Sequence, residues 1–357
     1  MRTAITLFLV LNFYVLSAIA SLDTDLINAS LNGDIKTVTA LLKKGADPKA
    51  EGSEALVRAA NNGYTAVVKL LLENGADAKA YNSEALESAA ILNQIDMARF
   101  LLEKGADVTE EAMKAAIEFK RTEIIELLIK ADSDITSKNH RSQMALILSA
   151  QCGYSDIIRI LIDLGFDANL ADNSGRTPLM RASYNGHLEV ANLLIQLGAD
   201  VNSSDNTGRK PLMFASYKGH LEIANLLIQS GADVNSSENS GWTPLMFASE
   251  NGHLEIVSML IQSGADVNVR TYTDLTALSI ATLSKHWNTV QLLINQGADS
   301  NLYDTIDWVI GAFEANINGR HDTVLLLANL LIKDRWPGND DLAALMLIIP
   351  FLNQLLQ

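Results

Sequence analysis

Residues 176–208 read RTPLMRASYNGHLEVANLLIQLGADVNSSDNTG, and residues 209–241 read RKPLMFASYKGHLEIANLLIQSGADVNSSENSG. Of the 33 positions, 26 are identical, so the building unit of this chain is 33 residues long and recent enough in its duplication to be read by eye. A third nearly intact copy runs from Thr243 to Asn268. The Gly-x-Asp words at Gly165, Gly198, Gly231, Gly264 and Gly297 keep the same step of 33. A fixed period of this size means a stack of supersecondary units that share one core, where 357 residues would otherwise imply two or so globular domains.

Two landmarks separate the rigid part of each unit from the free part. From the first apolar leucine of a unit to its closing glycine the distance is constant: Leu26 to Gly45, Leu56 to Gly75, Leu86 to Gly105, Leu179 to Gly198 and Leu278 to Gly297 all span 19. From the glycine to the next unit it varies: Gly231 to Leu245 is 14, Gly75 to Leu86 is 11 and Gly105 to Met113 is 8. Helices that stack on neighbours cannot change length, whereas a solvated loop tip can. All insertions and deletions therefore fall in the connection between units.

Each unit reads as two short helices. Pro178, Pro211 and Pro244 suit a first helical position, where the missing N–H would be unpaired anyway. Ala182, Ala215, Ala248 and Ala281 allow neighbouring helices to approach closely, and Leu193-Leu194-Ile195, Leu226-Leu227-Ile228 and Leu292-Leu293-Ile294 supply apolar core. The closing glycines suit a left-handed residue that stops a helix. About 30 residues bury too little to fold alone, so stability comes from contacts between neighbours.

The words Thr177-Pro178-Leu179, Gly186-His187-Leu188-Glu189 and Gly198-Ala199-Asp200-Val201-Asn202 recur as Lys210-Pro211-Leu212, Gly219-His220-Leu221-Glu222 and Gly231-Ala232-Asp233-Val234-Asn235. In period and order this resembles the ankyrin-repeat family over roughly residues 22 to 333. The resemblance implies an all-α solenoid of about ten helix-turn-helix repeats with β-hairpin loops, the hairpins short in the first four. The early units depart from the family words, with Glu54-Ala55-Leu56 and Glu84-Ala85-Leu86 in place of Thr-Pro-Leu. By the same alignment a fourth turn falls at Ser133-Asp134, and Cys152-Gly153 ends the inner helix of the fifth unit. Met180, Met213 and Met246 stand where the family has a histidine that ties hairpins together, so looser, more apolar finger bases are expected.

The family binds proteins through hairpin tips and the adjoining inner-helix face, which line a concave groove. The partner-binding set implied here is Gln143, Arg176, Tyr184, Arg209, Tyr217, Trp242 and Glu250, with Gln151, Leu275 and Leu283 in register. Arginine, tyrosine and tryptophan are common interface anchors because they combine large area with a polar handle. Charge reversal at Arg176 and Arg209 with Trp242→Ala is expected to abolish partner capture and leave thermal unfolding nearly unchanged. Phe214 and Phe247 are read as packing residues, and Arg181 as an odd substitution along the surface.

The formal charge of −15 argues against a nucleic-acid partner, which needs a basic stripe. His187, His220, His253 and His286 share one position in successive units, about 8–10 Å apart, so they cannot converge on one metal ion. The resemblance gives them the role of fastening the inner-helix turn. No phosphate-cradling glycine loop, His-Glu-x-x-His or nucleophile elbow occurs, so no enzymatic activity, cofactor or metal is expected. The Asp-Val-Asn words ending at Asn202, Asn235 and Asn268 resemble the acceptor pattern of the asparaginyl hydroxylase that acts on ankyrin repeats, although a structural role in the turn is the preferred reading. Cys152, the sole cysteine, is expected to be exposed and to have no special role.

Arg2, the apolar run from Ala4 to Leu16 and Ala18-Ile19-Ala20 have the form of a secretory signal cleaved after Ala20, against an uncleaved anchor or an ordinary capping helix. The resulting organisation is a signal peptide at 1–20, a repeat solenoid at 21–333 and a C-terminal segment at 334–357. In that last segment Leu342 to Leu356 reads as a cap helix, with docking to a partner or membrane surface as the alternative. The expected function is a non-catalytic protein-binding scaffold outside the cytoplasm, monomeric, without membrane contact once cleaved, holding an unidentified protein partner in the groove of repeats five to nine. The alternative is a secreted effector that occupies a host protein.

Overall fold

The computed structural model describes residues 21–132 and 140–299, and of residues 140–143 the backbone alone. The signal segment, the Ser133-Asp134 turn, a tenth repeat, the Leu342–Leu356 segment and the side chain of Gln143 lie outside this description.

Every described element is a helix. In chain order they are α1 (residues 21–31), α2 (Ile35–Lys43), α3 (Ala50–Asn61), α4 (Thr65–Glu73), α5 (Ala80–Ile91), α6 (Ile95–Glu103), α7 (Glu110–Glu118), α8 (Thr122–Ala131), α9 (His140–Cys152) and α10 (Ser155–Asp163). There follow α11 (Pro178–Asn185), α12 (Leu188–Gln196), α13 (Pro211–Lys218), α14 (Leu221–Gln229), α15 (Pro244–Glu250), α16 (Leu254–Gln262), α17 (Ala277–Leu283) and α18 (Trp287–Asn295). They fall into two compact units that divide between Asp172 and Asn173.

Both units are built as the all-α solenoid pattern requires. In the first, inner helices α3, α5, α7 and α9 pack in series and outer helices α2, α4, α6 and α8 form a second row; in the second, α11, α13, α15 and α17 form the inner row and α12, α14, α16 and α18 the outer. Helices this short are marginal alone and persist because they are packed. Ala182, Ala215, Ala248 and Ala281 are fully buried between inner helices, and Leu194, Leu227, Leu260 and Leu293 between the layers. Each such leucine contributes about 2–3 kcal/mol by leaving water.

The Gly-x-Asp word has a local explanation. Gly198 closes α12 at φ +91 with nothing within 4 Å of a notional Cβ, so the left-handed backbone, not space, demands glycine. Asp200 then accepts the Asn202 backbone N–H at 2.8 Å, an Asx-turn that starts the connection to the next repeat. Asp47, Asp77, Asp233 and Asp266 make the same bond to the residue two further on.

The connections differ from expectation in form. No strand occurs among the described residues, so the β-hairpins reduce to tight loops. In the second unit the Asp205 N–H donates to the Arg209 carbonyl, Glu238 to Trp242 and Thr271 to Leu275, and neighbouring loops join through Asn239 N–H to the Thr207 carbonyl at 2.9 Å. In the first unit the anticipated stubby hairpin is replaced by a left-handed turn: Glu51, Gly52 and Ser53 all have positive φ, as do Tyr81, Asn82 and Ser83. The turn buries Ser53 and Ser83, each of which accepts a backbone N–H from the following repeat, Asp77 at 2.9 Å and Asp107 at 3.0 Å. That bond offsets part of the cost of the left-handed residues, about 1–2 kcal/mol for each non-glycine. At Thr109 the connection vanishes altogether, and the threonine hydroxyl caps α7 directly by accepting from the Ala112 N–H at 3.1 Å.

The finger bases are apolar, as the methionines led one to expect: Met180, Met213 and Met246 are buried, and the Met180 sulfur accepts weakly from the Thr177 N–H at 3.5 Å. The finger base is therefore closed by packing and a soft acceptor in place of a histidine.

Candidate interaction face

Two layers of side chains build the finger and inner-helix face of the second unit. Below lie acids that shape the loops. Asp205, only 2% exposed at its side chain, accepts the backbone N–H groups of Thr207 at 2.9 Å and Arg209 at 3.0 Å and the Thr207 hydroxyl at 2.6 Å. Glu238, one period later, accepts from the Ser240 and Trp242 N–H groups and the Ser240 hydroxyl, and the Thr271 hydroxyl takes the Leu275 N–H at 3.0 Å. These residues fix where Arg209, Trp242 and Leu275 leave the backbone.

Above lies a strip of cations and rings. The Arg176 guanidinium sits 5.6 Å from the Phe214 ring centre, and Arg209 sits 5.1 Å from that of Phe247. Trp242 leans on Phe247 at 5.1 Å, and Tyr184 and Tyr217 stack at 6.5 Å, each edge-on to the phenylalanine of the next inner helix at 6.2 Å. Phe214 and Phe247 are 5% exposed, as packing residues should be, while Tyr184 and Tyr217 are each 38% exposed.

Of the sequence-derived set, Arg176, Tyr184, Arg209, Tyr217 and Trp242 thus come together on one face of the second unit. Glu250 is half-buried at the end of α15, in register with the two tyrosines, and Leu283 beyond it is 69% exposed. Gln143 belongs to α9 of the first unit, and its side chain lies outside the described residues. Arg181, one period before Phe214, is half-buried rather than laid along the surface.

Sequence reasoning missed Lys218. Its amine lies 4.5 Å from the Tyr184 ring centre and 5.3 Å from that of Tyr217, which makes it an exposed cation of the strip. The available signal was its place one residue after Tyr217 and one period after Asn185. The expectation that charge reversal at Arg176 and Arg209 with Trp242→Ala leaves thermal unfolding nearly unchanged does not follow from this geometry. Arg176 Nε is 3.6 Å from the buried Asp205 carboxylate, so a glutamate there would set two carboxylates together, and Trp242 is half-buried against Phe247.

The histidines hold the inner-helix ends in place. His220 Nε2 donates to the Tyr184 carbonyl and His253 Nε2 to the Tyr217 carbonyl, both at 3.1 Å. The first unit uses other donors at the same station: Arg121 Nη2 to the Ile91 carbonyl at 3.1 Å and the Tyr154 hydroxyl to the Glu118 carbonyl at 3.3 Å. Among the described residues no group of three or more His, Cys, Asp and Glu could hold a metal ion. Asn202 and Asn235 hold the turns, as preferred: each bridges to the next repeat through both side-chain atoms. Cys152 is half-buried, not exposed, and its thiol is pushed up first by burial and then by the Glu118 carboxylate, the reverse of an activated thiolate.

A shallow groove of about 750 Å³ runs along outer helices α14, α16 and α18, away from the strip. It is lined by Leu221, Leu254, Met259 and Leu292 together with amides and the carboxylates of Glu222 and Glu255. No helix among the described residues is long and apolar enough to cross a membrane.

A family model described as ankyrin repeats in three copies matches residues 26–112, 112–205 and 212–304, and a second ankyrin-repeat model matches residues 185–228. The chain belongs to the ankyrin-repeat family. Comparison with curated proteins finds no match. Ankyrin repeats make this chain a scaffold for protein–protein interaction, and proteins of the family are in general scaffolds and not enzymes.

Proposed function

We propose that this ankyrin-repeat protein works outside the cytoplasm as a monomeric, non-catalytic scaffold. It would hold a protein partner on the finger and inner-helix face of residues 176–250. The observation that carries the reading is the strip in which Tyr184 and Tyr217 stack in the open while Arg209 and Lys218 lie over neighbouring rings. Aromatic groups held rigid before binding lose little entropy on contact, which is what interface anchors require. Placement outside the cytoplasm rests on Arg2, the Ala4–Leu16 run and Ala18-Ile19-Ala20.

Fractionation with N-terminal sequencing tests the placement: a mature chain starting at Ser21 in the extracytoplasmic fraction is expected, and a chain retaining Met1 in the cytosol would refute it. Recovery from a host cytosol would favour an effector instead. For the interface, affinity capture with the mature chain is compared with a Lys218→Glu variant. Loss of a specific captured protein with unchanged thermal unfolding is expected, and equal capture by the variant would remove this face as the interface.

A further inference from the structure

The second unit separates its charges by face. Residues 173–299 carry seven Lys and Arg, and five of them, Arg176, Arg181, Arg209, Lys210 and Lys218, belong to the fingers or inner helices of its first two repeats. Few acids of the same stretch share that location: Glu250 stands one repeat further on and Asp274 on the last finger. Glu189, Glu222 and Glu255 open the outer helices, while Asp205 and Glu238 are buried beneath the fingers with their oxygens committed to loop N–H groups. A chain of net charge −15 therefore presents a cationic, aromatic strip at one location.

Resting on the interface reading above, we infer that the partner of this strip is an acidic segment of protein in extended conformation. Its carboxylates would meet Arg176, Arg209 and Lys218, and apolar residues between them would lie on Tyr184 and Tyr217. Two geometric facts select the form. Adjacent repeats step by about 8–10 Å, so the two arginines are one step apart. Three residues of polyproline II cover about 9 Å, whereas alternate residues of a β-strand cover only about 6.8 Å. Carboxylates three residues apart in a proline-rich chain therefore match the arginine step.

Arg209 is prepared for such a ligand. The Arg209 stem is held over Phe247, and its Nε is buried with no hydrogen-bond partner among the described residues. A carboxylate meeting the terminal N–H groups of this ring-supported guanidinium would pair charge with charge at little cost in side-chain freedom. The strip also has an end. Glu250 occupies the station of Tyr184 and Tyr217 one repeat further on, followed by Leu283, so the acidic run of the partner must stop and give way to an apolar residue there. This termination disfavours continuous polyanions, which would carry charge past Glu250.

The test uses the mature chain and fluorescence anisotropy with a labelled peptide of about twelve residues, glutamate at every third position with proline and tyrosine between. The same peptide with lysine for glutamate is the charge control. Phosphatidylserine vesicles and single-stranded oligothymidine are the competing anionic probes. Expected are binding of the glutamate peptide, at least about tenfold weaker binding of the lysine peptide, and a similar loss in an Arg209→Gln, Lys218→Glu variant whose thermal unfolding is monitored in parallel. Glu222→Lys on the outer face should leave the affinity unchanged, and raising salt should weaken it. Equal binding of both peptides, an unaffected variant, or tighter binding to vesicles or oligonucleotide would overturn the inference. If no peptide binds but the Lys218→Glu variant still loses its captured protein, the acidic preference is wrong and the interface stands. If capture also survives, the interface reading falls with it.

Discussion

Asn202 closes on Asp233 of the following repeat: its side-chain oxygen accepts the Asp233 N–H at 3.0 Å while its amide donates to the Gly231 carbonyl at 2.9 Å. Asn235 repeats the bond to Asp266, and Asn268 to Asp299. In the first unit Asp23, Ser53 and Ser83 do the same for Asp47, Asp77 and Asp107, reaching across 24 residues instead of 31. The shortened connection thus loses its finger but keeps the inter-repeat bond, by swinging a serine inward through a left-handed turn. We predict that Asn235→Ala and Ser53→Ala each cost about 1–2 kcal/mol, because each leaves a backbone N–H without its acceptor. Ser216→Ala should be neutral or stabilising, since that hydroxyl is fully buried with no partner among the described residues. Denaturant unfolding of the three variants checks this; an equal cost at Ser216 would show that burial alone, not bonding, sets these energies.

Gly186 and His220 form a second coupled pair. Gly186 has φ +82, and a Cβ there would come within 2.6 Å of His220 Cε1, the ring being held by the Tyr184 carbonyl. Gly186→Ala is expected to cost about 2–4 kcal/mol, combining left-handed strain with loss of the histidine bond. In a His220→Ala background the clash is gone and only the strain, about 1–2 kcal/mol, should remain. A double-mutant cycle showing full additivity would refute the contact.

The repeat length, the helix pairs, the turn glycines and the proline starts were legible because they follow from periodicity and from backbone rules acting within a few residues. The left-handed turns were not: Glu51-Gly52-Ser53 and Tyr81-Asn82-Ser83 share only the serine, whose role is defined by a bond to a residue 24 positions later. For the same reason the site was half legible. Arg176, Tyr184 and Arg209 could be chosen by residue type and register, but Lys218 counts only because its amine crosses to the ring of the previous repeat. Nor could type alone reveal that Arg176 lies against a buried carboxylate.

The first unit should show a pH signature at Glu87. Its carboxyl is held above the usual carboxylate range first by burial and then by the charges of Glu111 and Glu84. A raised folded value means that the folded state binds the proton more tightly, so stability is fuller below the unfolded value and declines as pH rises through the folded one. Glu87→Gln is therefore expected to raise the thermal midpoint at neutral pH, with the gain shrinking as pH falls into the range where Glu87 is protonated. Asp34 acts oppositely. The Thr37 hydroxyl and backbone N–H hold its carboxyl low, and its contribution is lost as pH falls through that low folded value. A Glu87→Gln gain independent of pH would show that packing, not charge, is responsible.

Stability and binding should separate along the strip according to depth. Trp242 rests on Phe247, and Phe247 also supports Tyr217 and the Arg209 guanidinium, so the phenylalanine is the shared floor of three surface groups. Phe247→Ala is expected to lower stability by about 3–5 kcal/mol. Trp242→Ala, removing a half-buried ring, should lower both stability and partner affinity. Lys218→Glu removes an exposed group at the top of the strip, and its effect on unfolding should stay within about 0.5 kcal/mol while affinity falls, whereas Tyr184→Ser also gives up the contacts with Tyr217 and Phe214 and should cost about 1 kcal/mol or more. Parallel denaturant titrations and binding isotherms on the four variants decide the matter. If affinity loss simply tracks stability loss across the series, the strip is a packed surface and not an interface; a large affinity loss at Lys218 with an unchanged unfolding midpoint is the outcome that this geometry requires.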